Sequence, residues 1–238
     1  MQTQPAWHFE NSHAEQALTT QFPDDATWNT GIYTPTIVCA AGALMRYIQD
    51  TQKMHLPHIQ QLALHSTTDY LLIDAASRRH LEITENLQGN TQHTLAALLD
   101  TTQTSMVSRL LKRWLNQPLV DIARIQARQA ALQLLIEQQL YLSLQAPLST
   151  TNDVERVLAR VALRSARPRD LTALRQTLET TPDLHQRLTP AQDAALLQHI
   201  TQSLVVDDSI VTLLQTAIIA EPPMLIRDGG VIASGFDA

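Results

Sequence analysis

Beyond residue 90 the chain repeats apolar residues at the three-and-four spacing of amphipathic helices. Thr94 is placed to cap a short helix carrying Leu95, Leu98 and Leu99. Thr104 is placed to cap another with Met106, Val107, Leu110, Leu111 and Trp114, which Pro118 terminates. Asp121 opens a long helix whose face runs Ile122, Ile125, Leu132, Leu135, Ile136 and Leu140. Asn152, followed three residues on by Glu155, resembles a capping box for Val154, Val157, Leu158 and Val161. Pro168 suits the first position of a helix bearing Leu171, Leu174 and Leu178. Thr189-Pro190 starts the next, with Leu196, Leu197, Ile200 and Leu204. Asp207 or Asp208 starts the last, with Ile210, Leu213, Leu214, Ala217 and Ile218, and Glu221-Pro222-Pro223 ends it.

The first ninety residues are less regular. Pro5, Pro23, Gly31 and Pro35 break any long period, and a helix is predicted from Thr36 to Lys53 with Val38, Ala41, Leu44, Met45 and Ile48 on one face. Tyr70-Leu71-Leu72-Ile73 reads as a short buried strand. The segment from Asp74 to Leu87 starts as a helix, with Ala75, Ala76 and Leu81 apolar, and turns extended around Ile83. Near the end, Met224 to Ile232 reads as two short strands around Gly229-Gly230. The fold class is mainly α.

Composition narrows this further. Only six glycines occur and none lies between Asn90 and Asp228, which disfavours a sandwich or barrel built on tight turns. Cys39 is the only cysteine, so an intrachain disulfide and a cysteine-built zinc site are excluded. The start of the chain lacks the basic and apolar regions of a secretory leader, and the uncharged run Ile37 to Met45 is too short to span a bilayer. A cytoplasmic protein is expected. Net charge is −6, unevenly spread: residues 105–175 hold 11 bases and 5 acids, between acidic flanks. A basic middle of this kind faces an acidic partner or nucleic acid, or consists of solvated helix faces.

Motifs for catalysis are largely missing. Gly230 and Gly235 have P-loop spacing, but Phe236 and Asp237 stand where Lys and a hydroxyl belong; glycine spacing also rules out a dinucleotide fingerprint and a nucleophile elbow. His55 and His58, with His65 beyond, form the tightest histidine cluster, yet Pro57 separates the first two and few further ligands lie near. Asp24-Asp25 and Asp207-Asp208 sit where caps or turns use them. Arg156, Arg160, Arg164 and Arg167, spaced by four and three, are predicted to share one helix stripe. That stripe either lines a phosphate backbone, with weak contact through Arg156, Arg160 and Arg164, or pairs with Glu137, Asp153, Glu155 and Asp170.

Longer strings go beyond patterning. Asp74-Ala75-Ala76-Ser77-Arg78-Arg79-His80-Leu81-Glu82-Ile83, then Asn86-Leu87, closely resembles a signature of the MutS family of DNA mismatch-repair proteins. Thr94-Leu95, Leu99-Asp100, Thr102, Thr104, Met106 and Ser108 through Leu115 follow in the family's order, with Pro118-Leu119 and Arg128. Asp153 to Arg156, Arg167 to Leu171 and Arg227 to Ile232 resemble later blocks. The family usually has Pro, then Met-Gly, before Ser-Arg; here Ser105, Met106 and Val107 stand there, a change that suggests altered packing.

The resemblance implies an architecture and a role. Residues 1–65 resemble the end of an α/β connector domain, and residues 66–238 the first segment of the helical core, or lever, domain. It implies a piece of a larger machine, without the mismatch-reading Phe-x-Glu wedge and without the ATPase, hence no enzyme and no cofactor of its own. ATP and magnesium belong to the full-length family. Its implied partners are the clamp, levers and ATPase of its own chain, DNA through the whole protein, and a MutL-type protein through the connector. The piece itself is expected to be monomeric. Asp74, Arg78, Leu81, Glu82, Arg109, Trp114, Asp228, Gly229 and Gly230 are its signature positions, with Arg78, Glu82, Arg109 and Trp114 the candidates for packing helix junctions. The competing readings are a free-standing helical adaptor for another protein and a metal enzyme built on His55 and His58.

Overall fold

The computed structural model describes residues 5–23, 28, 33–52, 59–64 and 67–236, the side chains of Gln52 and Thr67 excepted. His55, His58, His65, Asp24, Asp25 and Asp237 lie outside the described residues. The chain forms two compact units, Met1–Ser66 and Thr67–Ala238. Most of the described residues are helical. Extended pairing among them is confined to two isolated antiparallel bridges, Tyr70 with Leu119 and Ile218 with Ile232.

In the first unit, helix α1 (Asn11–Gln21) packs along α2 (Pro35–Gln52). Ala14, Leu18, Phe22, Trp28, Val38 and Met45 form its core, flanked by Tyr33, Ala41, Ile48, Ile59 and Leu62. The two helices touch at backbone distance. A Cβ placed on Gly42 falls inside the van der Waals shell of Ala14's Cα, Cβ and carbonyl oxygen, so only glycine allows this approach. Two side chains hold the following segment on: Gln21 Nε2 donates to the Ile59 carbonyl and Tyr33 Oη to that of Leu62, each at 2.8 Å. Leu44, expected on the buried face, points outward, and Gly42 and Ala43 occupy the contact instead. The described elements of this unit are helical.

Among the described residues the second unit has nine α-helices: α3 (Ala75–His80), α4 (Leu95–Leu99), α5 (Ser105–Asn116), α6 (Ile122–Glu137), α7 (Leu140–Ser149), α8 (Val154–Ala162), α9 (Pro168–Leu188), α10 (Ala195–Ser203) and α11 (Asp208–Ala217). Six of them, α3, α4, α5, α6, α8 and α11, start at a side-chain cap. Thr94, Thr104, Asp121 and Asp207 each accept a backbone N–H from the first turn, a bond worth about 1 kcal/mol apiece. Pro168 begins α9. The core lies around α9. Leu144 of α7 meets Leu184 and Leu188, and Ala131 of α6 meets Ala191, Ala194 and Leu197. Leu135 and Leu140 border both clusters.

Several expectations are corrected. Residues 70–73 make one bridge, not a buried strand: Leu71 N–H donates to the Pro118 carbonyl, while Leu72 is 81% exposed. The helix opened by Asp121 does not reach Leu140, because Gln139 takes a left-handed φ of 54° and separates α6 from α7. α10 begins at Ala195, five residues beyond Pro190. Around Gly229-Gly230 no two-stranded hairpin forms. Ile226–Asp228 coils into a 3-10 turn, and after the left-handed glycines residues 231–233 pair back to residues 217–219. Many periodic leucines and isoleucines also face outward, among them Leu95, Leu98, Leu99, Ile122, Leu132, Ile136, Leu158, Ile210 and Leu213; in α4 it is Ala96 that is buried.

Candidate functional site

The polar chemistry of the second unit gathers where helices meet. At the α5–α8 junction the Arg109 guanidinium grips Asp153 with both arms, Nη1 to Oδ2 at 2.7 Å and Nη2 to Oδ1 at 2.8 Å. Nη2 also reaches Glu155 Oε2 at 2.7 Å. The planar fork of arginine matches a carboxylate in this two-point way, which fixes angle as well as distance. Asp153 is the hub. It caps α8 by accepting the Arg156 N–H, takes the Ser105 hydroxyl at 2.9 Å, and lies 3.3 Å from Arg156 Nε, with a side chain only 18% exposed. The Arg109 guanidinium, helped by the Ser105 hydroxyl, holds the Asp153 carboxyl well below the usual carboxylate range and raises the arginine in return.

The cap of α8 differs from the one its sequence predicts. Asn152 was expected to cap α8, with Glu155 closing a box. Instead Asp153 is the cap, and Asn152 turns to α9. Its N–H donates to Thr177 Oγ1 at 3.0 Å, and its Nδ2 to the Ala173 carbonyl and to Gln176 Oε1. A carboxylate one residue nearer the helix outcompetes the amide, and the amide is released for tertiary contact.

Other junctions use the same device. Between α8 and α9, Arg160 Nη1 lies 2.6 Å from Asp170 Oδ1, and Asp170 Oδ2 accepts the Arg167 N–H at 2.9 Å. Between α9 and α11, Arg175 Nη1 donates to the Leu214 and Ile218 carbonyls, and Gln215 Nε2 to Glu179 Oε1. Arg187, paired with Asp183, reaches the Ser143 carbonyl of α7. Asp100 ties the end of α4 to α5 through the hydroxyls of Ser108 and Thr102, with Lys112 3.8 Å away; those hydroxyls hold its carboxyl low.

The arginine stripe is therefore broken up. Arg156 and Arg160 lie on α8 and face carboxylates, but α8 ends at Ala162. Arg164 sits beyond the end with a φ of 52°, and Arg167 precedes α9.

The remaining signature residues shape local structure. Asp74 caps α3, accepting the Ala76 and Ser77 N–H groups and the Ser77 hydroxyl, and Ser77 holds its carboxyl low. Arg78 Nη2 donates to the Ile73 carbonyl at 3.3 Å. Leu81 is exposed. Glu82, with a left-handed φ of 46°, accepts the Leu87 N–H on Oε1. Buried Asn86 organises the following loop, accepting the Gln88 and Asn90 N–H groups and donating to the Gln92 carbonyl. Trp114, half exposed, carries the Arg128 guanidinium 3.6 Å above its ring, a cation–π contact. Asp228 lies 3.9 Å from Arg227 before the left-handed Gly229 and Gly230. The sequence marks Ser105 only as a departure from the family's pattern, and it does not mark Arg175 or the turning of Asn152. Only Ser105, one residue after a helix cap and four before Arg109, carried a spacing that places it beside the same partner.

Among the described residues no three or more His, Cys, Asp or Glu side chains converge on a common point, and no helix is long and apolar enough to cross a membrane. Fold and junctions together define a helical scaffold whose arginines and carboxylates join one helix to the next. Comparison with known families gives its place: residues 76–234 match the model of MutS domain III, and residues 1–60 that of MutS domain II. The chain belongs to the MutS family of DNA mismatch-repair proteins, with connector sequence followed by helical core.

Proposed function

We propose that this segment is a mechanical linker in mismatch repair. In this reading it passes conformational change between the DNA-holding and ATP-hydrolysing parts of a larger MutS-type protein and supplies no catalytic group. The observation that carries the reading is the Arg109 grip on Asp153 and Glu155. A bidentate ion pair between two helices transmits rotation, because its strength depends on angle, whereas apolar faces slide. Coupling between distant sites needs an element with defined alternative arrangements, and a charged junction that is either made or broken is one. The proposal includes DNA as a partner through the whole protein and a MutL-type protein through the connector, with the segment alone monomeric and cytoplasmic.

The test uses the full-length MutS-type polypeptide carrying this segment, with ATP and magnesium. ATP turnover is measured with and without a mismatched duplex, for the parent and for Arg109→Ala. The expected result is DNA-free turnover within about twofold of the parent and a response to the mismatch reduced about fivefold, roughly 1 kcal/mol of coupling. An unchanged response overturns the linker reading and favours a helical adaptor role.

A further inference from the structure

The corner between α8 and α9 has basic chemistry that the junctions do not consume. Arg164, Arg167 and Arg169 lie within six residues, all exposed, and none has an ion pair among the described residues. The nearest carboxylate in sequence, Asp170, already serves Arg160 on one oxygen and a backbone N–H on the other. Further along the chain, the 226–228 turn brings another arginine, Arg227, to the side of Arg167. Arg167 and Arg227 line one cleft of about 320 Å³ with Ala166, Pro168, Leu225 and Ile226. Pro168 is fully buried and gives the cleft a stiff wall, whereas Ile226 is 68% exposed at its edge. Asp228 counters Arg227 only at 3.9 Å and is itself half exposed.

The chain before the corner turns at Arg164, which stands outside the cleft. α8 ends in a Schellman motif: Ser165 N–H donates to the Arg160 carbonyl and Arg164 N–H to that of Val161. The residue between takes a left-handed conformation, where glycine is cheapest and arginine is disfavoured.

We propose that this cleft docks an acidic peptide segment of a partner protein, one that sets an apolar side chain between carboxylates. Charge complementarity selects the acid: arginines rim the cleft and no neighbouring carboxylate neutralises them fully. The apolar lining selects a peptide over a nucleic acid, because a phosphate backbone offers nothing to bury against Leu225 and the exposed Ile226, and a phosphate track needs basic side chains along a line rather than around a pocket. This inference concerns a surface apart from the Arg109 junction and stands whether or not the linker reading holds.

The test is fluorescence anisotropy on the whole chain with three labelled probes: a peptide alternating Glu with Leu, the same peptide with every Glu replaced by Gln, and a DNA oligonucleotide of equal charge. The acidic peptide is expected to bind most tightly and to weaken with salt. Arg227→Glu should lower its affinity about fivefold, Arg167→Glu with Arg227→Glu about tenfold or more, and Ile226→Ser about threefold. Arg227 is 83% exposed, so its single reversal leaves the fold intact, and circular dichroism verifies this. Failure of the acidic peptide to bind, equal binding of the Gln peptide, or indifference to charge reversal overturns the proposal. Tighter binding of the oligonucleotide, lost in the same variants, also overturns it in favour of nucleic acid.

Discussion

The two units are held together by different physics. The described residues of the first unit close around one apolar cluster, with α1 and α2 in backbone contact at Gly42 and Ala14 and the side chains of Gln21 and Tyr33 each donating to a backbone carbonyl. Residues 67–238 distribute their apolar burial over two small leucine and alanine clusters, and charged or amide side chains fasten helix to helix. Apolar contact is non-directional and tolerates rotation, while a bidentate ion pair specifies orientation and answers to pH and salt. One unit is built to stay packed, the other to hold angles that conditions are able to change.

The largest effect that breaks this contrast lies in the first unit. Gly42→Ala gains about 1 kcal/mol of helix propensity but drives a methyl group into Ala14, an overpacking cost of about 3 kcal/mol. The net loss of about 2 kcal/mol is read by urea unfolding. Trp114→Phe serves as the background, so that Trp7 and Trp28 report the first unit alone. Stability equal to the parent means that the helices part freely and the contact is not close.

Acid sharpens the comparison next. Asp153, Asp100, Asp74 and Asp207 of the second unit are all held below the usual carboxylate range by arginine or hydroxyl and N–H donors. A depressed carboxylate adds stability that is complete above its unfolded value, near pH 4, and drains away as pH falls below that toward the folded value. The second unit should therefore lose structure first on titration from about pH 5 to pH 2, seen as loss of helical circular dichroism ahead of the Trp7 and Trp28 fluorescence change in the Trp114→Phe background, and Asp153→Asn should flatten that loss. High salt should weaken it in the same order. Simultaneous loss of both units would erase the distinction.

Much of the fold was legible in the sequence because helix starts are local events. Thr94, Thr104, Asp121, Pro168 and Asp207 act within one turn of where they stand, and each begins the helix expected of it. Burial was less legible. Periodicity names the face of a helix that favours contact but not the surface that meets it, so Leu98 counted as core and stands 78% exposed. The junctions were harder still. Arg109 and Asp153 are 44 residues apart, a distance at which no spacing rule operates, and the family strings marked Arg109 without naming its partner. The arginine stripe failed for a local reason: it assumed a helix continuing to Arg167, and the left-handed Arg164 stops it.

That residue provides the smallest prediction. Arg164→Gly removes the strain of a left-handed arginine at the α8 end and should raise stability by about 0.5 kcal/mol, after the greater chain entropy of glycine is subtracted. Thermal unfolding resolves the shift, and a loss of stability would show that the guanidinium holds α8 to something after all.

The pairing of residues 217–219 with 231–233 has a topological consequence. Ile219 N–H on the Val231 carbonyl and Ala233 N–H on that of Ala217 clasp the chain at the base of an Ω-shaped excursion. A segment pinned at its neck is free in its length: doubling it costs only about 0.6 kcal/mol of closure entropy. The excursion from residue 220 to 230 thus tolerates a change of length, best made at the exposed Gly229-Gly230 and away from buried Pro222 and the 225–227 side of the cleft, while the helix before it and the chain after it keep their places.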